Sequence, residues 1–335
     1  MSNKSASGLA AIICCHNSEK LIESSMLSLV TQEIGDGINY EIILVDNCST
    51  DDTVTLARAV AARHNRELIV IREDQKGLIY ARMAGVRSAT QPICLFVDDD
   101  NILSRDYVAR TVKIYRENED VGAVGGYAEP YIINRNVPEW FPEYQLMFAC
   151  GPQAESTGKL MGIKQYLYGA GLSFRTDVLR NILFDKMPPL LTGRTGDVLL
   201  RGDDTEMCFR CFLIGWKLFY DDTLRLRHNI DAGRITWRNA CTMRRKSGMA
   251  WIILNIYLRL ALGQQPRSMS YMFALLCYRW LRFLGNPKNL VRMFITGSGA
   301  SLGFHFLLGM TQSVIFWAQK YNVARKQIVL YFTPE

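Results

Sequence analysis

The chain has 335 residues, of which 49% are hydrophobic and 21% charged. It is long enough to bury a full core as one large domain or one domain plus an appendage, and its composition is that of a folded protein rather than a disordered one. Its formal net charge of +7 is uneven, since residues 1–222 carry 23 Lys and Arg against 30 Asp and Glu, whereas residues 223–335 carry 16 against 2. This basic, aromatic C-terminal third predicts an anionic partner, either a membrane surface or nucleic acid.

The chain begins with a short apolar stretch, residues 9–15, that is soon followed by Lys20. We interpret this stretch as a first strand rather than as a signal peptide. Nine cysteines are scattered through apolar segments, and only Cys208 and Cys211 have a C-x-x-C spacing, without a second pair to complete a zinc site. We expect reduced core cysteines, which fits a cytosolic protein.

Apolar runs alternate with helical patterns through the first half of the chain. The runs span residues 9–15, 41–47, 67–73 and 92–98. The helical patterns follow them at residues 18–32, 51–65, 76–89 and 104–118. Continuous apolar runs suit strands buried on both faces of a parallel sheet. The alternation therefore predicts right-handed βαβ units in an open α/β sheet, which binds its ligands at the carboxyl ends of the strands.

Polar side chains lie at those predicted carboxyl ends. They are His16, Asn17, Asp46, Asn47, Asp74 and the aspartates of residues 98–100. The sequence contains neither a GxGxxG nor a GxxxxGK[ST] phosphate loop. The negative charge of a bound nucleoside diphosphate would therefore have to be neutralised by another group. A metal ion held by carboxylates is the leading option.

The three consecutive aspartates Asp98, Asp99 and Asp100 are the main candidates for that metal site. Carboxylates at a strand end offer hard oxygen ligands to Mg²⁺ or Mn²⁺, which would also take oxygens from a diphosphate. Alternation along an extended end would point Asp98 and Asp100 one way and Asp99 the other. The alternative is a solvated turn that caps a following helix.

A second acidic group, Asp203, Asp204 and Glu206, follows a glycine at the predicted start of a helix near residue 203. Three acids there could simply complement the helix dipole. A fixed, partly enclosed carboxylate at this place would also suit a general base. His228 closes a strand-like run and could add an imidazole to the metal ligands, although a lone histidine is more often structural.

The remaining segments are less regular. Residues 127–167 resemble a long substrate loop, and residues 168–174 return to strand character. Hydrophobic helical stretches follow residue 249, and the uncharged run 293–319 is long enough to span a membrane. Because that run contains His305, Gln312 and several Gly and Ser residues, we expect interfacial or re-entrant helices instead.

Basic residues flank this hydrophobic region on both sides. They are Arg238, Arg244, Arg245 and Lys246 before it, and Lys320, Arg325 and Lys326 after it. Apolar aromatic stretches with basic flanks bind anionic leaflets, so we expect the tail to contact a membrane surface. The alternative is a set of buried helices in one enlarged domain.

Seven motifs together resemble the glycosyltransferases of family 2 in order and spacing. They are IICCHNSEKLIESSMLSL, EIILVDNCSTDDT, KGLIYARMAG, LFVDDDN, YGAGLSFR, RGDDTEMCFR and RHNIDAGRITW. The resemblance covers about residues 9–250 and implies a GT-A fold: α/β, with an open, mostly parallel sheet flanked by helices, here followed by a hydrophobic, basic helical extension. It implies a GT-A domain at residues 1–240, with a nucleotide-binding half to about 126 and an acceptor half at about 127–240. A membrane-associating helical region would follow at 241–335.

The resemblance also implies an activity. Members of the family transfer a sugar from a nucleoside diphosphate donor with inversion at the anomeric carbon, and a UDP-sugar is the default donor. It implies a metal-dependent enzyme that uses Mn²⁺ or Mg²⁺ and a glycan or lipid-linked acceptor in cell-surface polysaccharide assembly. The QxxRW motif of processive synthases is missing, which favours addition of a single sugar. We expect a cytoplasmic protein at the cytoplasmic face of the membrane, with no nucleic acid partner.

The resemblance assigns the donor site residue by residue. Asn17 and Glu19 would meet the nucleotide, Asp46 would hold the base, and Arg82 would lie near the nucleotide. Asp98 would approach the ribose and the metal, with Asp99 beside it in the donor site.

The resemblance also assigns the metal ligands and the catalytic base. Asp100 would bind the metal, and His228 would complete its ligand set. Asp204 lies where the family's ED motif has the catalytic base, and Asp203 replaces the usual Glu. Asp203, Asp204 and Glu206 therefore compete for the role of base.

Three alternatives stay open at this point. A sugar-nucleotide nucleotidyltransferase would normally show a glycine-rich, basic loop after the first strand, and CCHNSEKLIES is not one. A non-enzymatic nucleic-acid- or membrane-binding protein would use the basic tail, whose long apolar runs suit lipid better than a phosphate backbone. An inactive member of the family would bind the donor without turnover.

Overall fold

The computed structural model describes residues 7–132, 137–161, 166–185, 187–195 and 198–333. The strands are β1 (Gly8–Cys15), β2 (Asn39–Asp46), β3 (Ile69–Arg72), β4 (Ile93–Asp98), β5 (Asn101–Leu103), β6 (Val121–Tyr131), β7 (Gly158–Lys159), β8 (Ser173–Arg175), β9 (Gly193–Thr195), β10 (Val198–Leu200) and β11 (Lys217–Asn229). The helices are α1 (Ile22–Val30), α2 (Thr53–Arg63), α3 (Leu78–Ser88), α4 (Tyr107–Glu117), α5 (Phe141–Tyr144), α6 (Thr176–Arg180), α7 (Asp203–Leu213), α8 (Trp237–Ala261), α9 (Met269–Leu284), α10 (Pro287–Arg292), α11 (Gly299–Trp317) and α12 (Tyr321–Phe332).

A single mixed sheet forms the frame of the α/β part. Its strand order is β3-β2-β1-β4-β8-β6-β11-β5, with β7 paired to β11, and β9 and β10 form a separate hairpin. The strands β3, β2, β1 and β4 run parallel, whereas β8 is antiparallel to both of its neighbours. The predicted open α/β sheet is therefore confirmed, including all four strands and all four helices of the first half.

Both faces of the sheet are covered by helices, which explains the continuous apolar runs. On β1, Leu9, Ala11 and Ile13 pack with α1, α2 and α4 in one fully buried cluster. Ala10 and Ile12 point to the other face and pack with α3, α6 and α7. Every residue of this strand is therefore buried except half-buried Cys14, and no polar alternation remains.

The middle of the chain differs from the sequence-based expectation. The predicted loop over residues 127–167 begins inside β6, whose glycine-rich sequence hid the strand, and it includes residues 133–136 and 162–165, which lie outside the described residues. Gly126 is required there because a side chain would meet the backbone and side chain of Leu224 on the neighbouring β11. The strand expected over 168–174 is confined to β8, and residues 169–172 form a tight turn instead.

The C-terminal helices pack as a bundle on the α/β part. The predicted boundary between residues 240 and 241 falls inside α8, and the division into two regions stays a prediction. The helices α8 and α11 approach closely where Gly248 and Gly309 meet, because a side chain on Gly309 would overlap the carbonyl oxygen of Arg245. Among the described residues, α11 is the one helix long and apolar enough to cross a membrane, and 39% of its most apolar stretch is buried inside the protein.

The close contact between α8 and α11 gives a test of the bundle. Gly309→Ala should lower the free energy of unfolding by about 2 kcal/mol, because the added methyl group overpacks a backbone contact. Gly303→Ala is the matched control on the same helix, since its new methyl group would lie 3.7 Å from the Phe283 ring, an ordinary contact. Thermal unfolding of both variants measures the difference, and equal midpoints would contradict the close packing.

Candidate active site

The sequence-predicted groups converge at one edge of the sheet. Asp98 ends β4, and β1 pairs Cys14 with Asp98 and Cys15 with Asp46, so the carboxyl ends of the three parallel strands lie together. The charge of Asp98 interacts with those of Asp100, His228 and Asp204. Residues from both acidic groups of the sequence, 105 residues apart, therefore lie close together in space.

Arg82 on α3 is the cation at the centre of this cluster. It is 3% exposed, its Nη1 donates to Asp203 Oδ2 at 2.7 Å, and its Nη2 lies 3.7 Å from Asp98 Oδ1. Its guanidinium stacks over the Phe96 ring, 5.0 Å from the centroid. Burial alone would lower the pKa of Arg82, but the negative charges around it, chiefly those of Asp203 and Asp98, together raise it. A buried charge is tolerated when paired in this way, so Arg82 holds the strand end and the start of α7 together.

Asp203 and Asp204 begin α7 but occupy different surroundings. Asp203 is buried against Arg82, and desolvation raises its pKa to about 6 although the arginine opposes the shift. Asp204 is half-buried, its Oδ2 accepts from the backbone N–H of Gly169 at 3.0 Å, and its Oδ1 accepts from the N–H of Thr205 at 2.7 Å. Two backbone donors thus fix the Asp204 carboxylate at the border between protein and solvent.

Gly169, which sequence reasoning did not single out, is needed for this arrangement. A side chain at this position would come within 2.8 Å of Arg82 Nη2. The turn that carries Gly169 therefore reaches both Arg82 and Asp204 because the residue has no side chain. Gly169 lies in the YGAG stretch of the sequence. Its role was not visible there because Arg82 and Asp204, which it approaches, are distant along the chain.

Glu206 lies apart from the cluster, and its surroundings disfavour it as the base. It is fully buried one turn into α7, where Arg210 Nη2 lies 2.6 Å from Oε1 and the Tyr257 hydroxyl donates at 2.8 Å. The backbone N–H groups of Leu190 and Leu191 donate to the same carboxylate. This network ties α7 to α8 of the C-terminal bundle.

Asp100 forms a second charged group with His228 and Arg234. Asn101 in β5 pairs with His228 in β11, which brings Asp100 Oδ2 to 3.3 Å from His228 Nε2, and Arg234 Nη1 lies 3.2 Å from the same oxygen. Burial alone would lower the pKa of His228, but the hydrogen bond and charge of Asp100 raise it to about 10. The pKa of Asp100 is lowered by these partners against the effect of its burial. Arg234 went unassigned in the sequence, although it lies within the RHNIDAGRITW motif.

The donor set of Asp100 and His228 fits a divalent cation, which on binding would replace the proton that Asp100 stabilises on the His228 ring. Two neighbouring ligands of an octahedral ion lie about 3 Å apart, since each bond is about 2.1 Å long, and the oxygen and nitrogen here are 3.3 Å apart. A carboxylate with an imidazole suits Mn²⁺ or Mg²⁺. Within the described ranges, no three His, Cys, Asp or Glu side chains group closely enough to hold an ion alone. The remaining ligands would have to come from a diphosphate or from water.

Asp99 has different partners from Asp98 and Asp100, and it lies with Asp100 in a turn rather than on the extended strand end that the predicted alternation assumed. Its carboxylate accepts from the Ser18 hydroxyl, and its backbone carbonyl accepts from the Ser25 hydroxyl on α1 at 2.6 Å. Burial raises the pKa of Asp99 to about 6 although the serine opposes the shift. The alternative in which the aspartates cap a following helix is wrong, because β5 follows them instead.

The predicted nucleotide residues lie beside Asp99. A cavity of about 390 Å³ is lined by residues 17–21, Thr50 and Asp51. Asn17, at a φ of 53°, turns its amide oxygen to the backbone N–H of Thr50 at 2.8 Å. Asp46 is 6% exposed, and its Oδ1 accepts from the N–H of Ser49 at 2.9 Å. Asn17 and Asp46 therefore shape the loops around the cavity, and Glu19 is exposed at its rim.

An aromatic cluster that the sequence did not reveal lies next to Arg234. The rings of Trp140 and Trp237 are 5.1 Å apart, and Tyr144 packs on Trp237 at 5.7 Å. Trp237 begins α8, and the N-cap Thr236 separates it from the buried Ile235. The cluster joins the charged edge of the sheet to the C-terminal bundle.

Comparison with known proteins adds a family and a fold. The sequence profile of Glycosyl transferase family 2 matches residues 10–183. An uncharacterized glycosyltransferase of Bacillus subtilis, YfnE, is 30% identical over 116 residues, which are 35% of this chain and 29% of that protein. A PGL/p-HBAD biosynthesis glycosyltransferase of Mycobacterium bovis is 32% identical over 116 residues, 34% of this chain and 44% of that protein. The chain thus matches less than half the length of these curated relatives.

The solved structures that it resembles agree with the fold. The mannosyltransferase PcManGT of Pyrobaculum calidifontis, in complex with GDP-Man and Mn²⁺, superposes with a TM-score of 0.56 at 16% identity over 93% of this chain and 88% of that one. Staphylococcus aureus TarS 1–349 gives a TM-score of 0.52 at 15% identity over 93% of this chain and 92% of that one. At such identities the likeness establishes the GT-A type of fold.

The separation of Glu206 from the cluster can be tested. Glu206→Gln should lower the free energy of unfolding by about 3 kcal/mol, because it leaves the buried Arg210 guanidinium without its charge partner. Tyr257→Phe, which removes one hydrogen bond from the same carboxylate, should cost about 1 kcal/mol. Thermal unfolding measures both. An unchanged midpoint for Glu206→Gln together with lost activity would return Glu206 to the candidate bases.

Proposed function

The chain belongs to glycosyltransferase family 2, and from this premise we propose that it transfers a single sugar, with inversion at the anomeric carbon, from a nucleoside diphosphate sugar to a hydroxyl group. The observation that carries the proposal is the pairing of two charged sites at one edge of the sheet. Asp204 is a half-buried carboxylate fixed by two backbone donors, Asp100 lies with His228 and Arg234, and the charge of Asp98 interacts with both Asp204 and Asp100. Inverting transfer needs a base on one side of the sugar and positive charge on the other.

Asp204 is our proposed general base. A sugar hydroxyl is a poor nucleophile, so a carboxylate must accept its proton as the oxygen attacks the anomeric carbon. The pKa of about 6 for Asp203 would by itself favour that residue. However, Asp203 faces Arg82 and is 8% exposed, so an incoming hydroxyl meets Asp204 first. Arg82 and Asp203 then act by positioning the start of α7.

The other charged group lies on the side of the departing diphosphate. In this proposal Asp100 and His228 hold a Mn²⁺ or Mg²⁺ ion, with Asp98 nearby. Such an ion supplies the positive charge that stabilises the leaving diphosphate. Arg234, whose side chain is 54% exposed, is available to pair with a phosphate oxygen next to Asp100. This chain has no phosphate loop, so these groups are its means of binding the diphosphate.

The nucleoside would occupy the cavity beside Asp99. Asn17, Glu19 and Asp46 line or shape this space, and the Ser18 hydroxyl connects it to Asp99. We propose a UDP-sugar as the first donor to test. Solved structures with the same fold contain UDP-GlcNAc in TarS and GDP-Man in PcManGT, which supports a nucleotide sugar as the donor class.

We further propose a glycan or lipid-linked acceptor and a cytoplasmic location at the membrane face. The acceptor half, residues 127–240, would present the hydroxyl to Asp204, and the region 241–335 would contact the lipid. The aromatic cluster between Arg234 and the bundle supports this arrangement, because aromatic rings pack against sugar rings and sit well at a membrane surface.

The base assignment gives a direct test. Asp204→Asn should lower kcat by roughly a hundred- to ten-thousand-fold, the range of a general base, and leave nucleotide binding nearly intact. Transfer of radiolabelled sugar, or release of nucleoside diphosphate, measures the rate, and calorimetry measures binding. Asp203→Asn is the matched variant on the same helix turn. If it abolishes turnover while Asp204→Asn retains it, the base is Asp203.

The metal and donor assignments share one experiment. Thermal unfolding against UDP, GDP, CDP and TDP, each with Mn²⁺ and with EDTA, should show stabilisation by one nucleotide only when metal is present. Asp100→Asn should remove most of that shift because it deletes a charged ligand. A nucleotide shift of equal size in EDTA, or unchanged in Asp100→Asn, would take Asp100 out of a metal site.

A further inference from the structure

The helix α9 is apolar on its exposed face as well as on its buried one. It buries Met272, Leu276 and Phe283 within the C-terminal bundle. The exposed Phe273, Leu281 and Leu284 have 56%, 71% and 49% of their surface in solvent, and their spacing of about two turns and then one puts them in a single stripe along the helix. The outer face of a soluble helix is normally polar, so this stripe needs a partner.

The stripe continues beyond the end of α9. The helix α10 contacts both α9 and α11, and Val291 is 69% exposed on it. In the turn that follows, Phe294 is 80% exposed and Ile295 49% exposed. We call these apolar residues, together with the stripe on α9, the α9–α10 surface. A contiguous exposed patch of large apolar side chains marks an interaction site.

The charge of this surface identifies its partner. Residues 232–334 contain no Asp or Glu. Arg282, Lys288 and Arg292 are exposed among the apolar side chains, and none of the ion pairs found in the described parts of the chain involves them. Apolar and aromatic side chains flanked by uncompensated cations are what an anionic bilayer attracts. A second copy of the chain would bring the same positive charges face to face across the symmetry axis, which disfavours it.

We propose that the α9–α10 surface docks in the plane of an anionic lipid bilayer. The helix α11 is not required to cross the membrane. It packs along α8, where Arg245 Nε donates to Gln312 Oε1 at 2.8 Å and Ser313 donates to the Met249 carbonyl at 2.6 Å. Most residues of α11 are therefore buried or half-buried in the bundle, with Ile315 and Phe316 exposed near its end, whereas α9 and α10 expose large apolar side chains along their length.

Docking would bring the acceptor side of the active site to the lipid. The Tyr144 hydroxyl donates to the Gly297 carbonyl at 3.3 Å, three residues after Phe294. Tyr144 belongs to the aromatic cluster with Trp237, which lies three residues after Arg234. The functional meaning of this docking rests on the proposed function, because docking would favour a lipid-linked acceptor over a soluble one. The docking itself is measured without donor, metal or acceptor.

Vesicle co-sedimentation of the full chain tests the proposal. The protein should bind vesicles made of equal parts phosphatidylcholine and phosphatidylglycerol, bind phosphatidylcholine alone weakly, and lose affinity as salt screens the charges. The double variant Leu281→Glu with Phe294→Glu should bind anionic vesicles about tenfold more weakly or worse, because it puts acids where the lipid would lie. Leu330→Glu on α12 is the matched control, since Leu330 and Leu281 are both 71% exposed. It should bind as the parent chain does, because the proposal confines the lipid contact of the region 241–335 to the α9–α10 surface and leaves α12 outside it.

Three outcomes of the vesicle experiment would overturn the proposal. They are absence of binding to anionic vesicles, undiminished binding by the double variant, and an equal loss in Leu330→Glu. Light scattering without lipid tests whether a second copy of the chain occupies the surface instead. If the parent chain is a dimer and the double variant is a monomer, the surface is a dimer interface and the proposal is wrong. The nucleotide-induced thermal shift of the double variant, expected to equal that of the parent chain, shows that the variant is folded. It also separates failure of docking from failure of the proposed transfer reaction.

Discussion

The burial of several carboxylates at one sheet edge is the constraint around which this site is organised. Carboxylates at such a distance repel each other and lose hydration, and the raised pKa values of Asp98, Asp99 and Asp203 record that cost. Arg82 offsets it by pairing with Asp203 and lying 3.7 Å from Asp98. Since Arg82 lies on α3, Asp98 on β4 and Asp203 on α7, one guanidinium fixes the relative position of three elements. The half-buried Asp204 is held in place as a consequence.

The C-terminal bundle is coupled to that site through the helix α7. Glu206 is paired with Arg210 in the interior and receives the hydroxyl of Tyr257 from α8. An ion pair this deeply buried does not by itself guarantee stability, but loss of either partner would leave an uncompensated charge. The bundle therefore has a structural role at the start of α7 that is separate from any contact with lipid. Movement of α8 would shift Glu206, which is two residues away from Asp204.

Acidic and basic side chains are concentrated in different regions of the molecule. Acidic side chains gather at the sheet edge, where Arg234 and His228 provide the local cations around Asp100. The C-terminal helices carry almost exclusively basic charge and expose apolar side chains between the cations. A nucleotide sugar bound at the first region and an anionic bilayer bound at the second would thus be recognised by different chemistry. The aromatic cluster of Trp140, Tyr144 and Trp237 lies between the two.

The sequence by itself determined the elements of the first half, the acidic strand end and the start of α7. These features depend on local periodicity and on the rule that parallel strands present their carboxyl ends together. It did not determine that Arg82 pairs with Asp203, 121 residues away, or that Glu206 turns inward while Asp204 stays at the border. Nor did it show β6, whose glycines accommodate β11, or which face of α9 the bundle leaves uncovered. Periodicity specifies which residues of an element are apolar, whereas pairing partners and burial depend on contacts between elements distant in sequence, which only the tertiary structure decides.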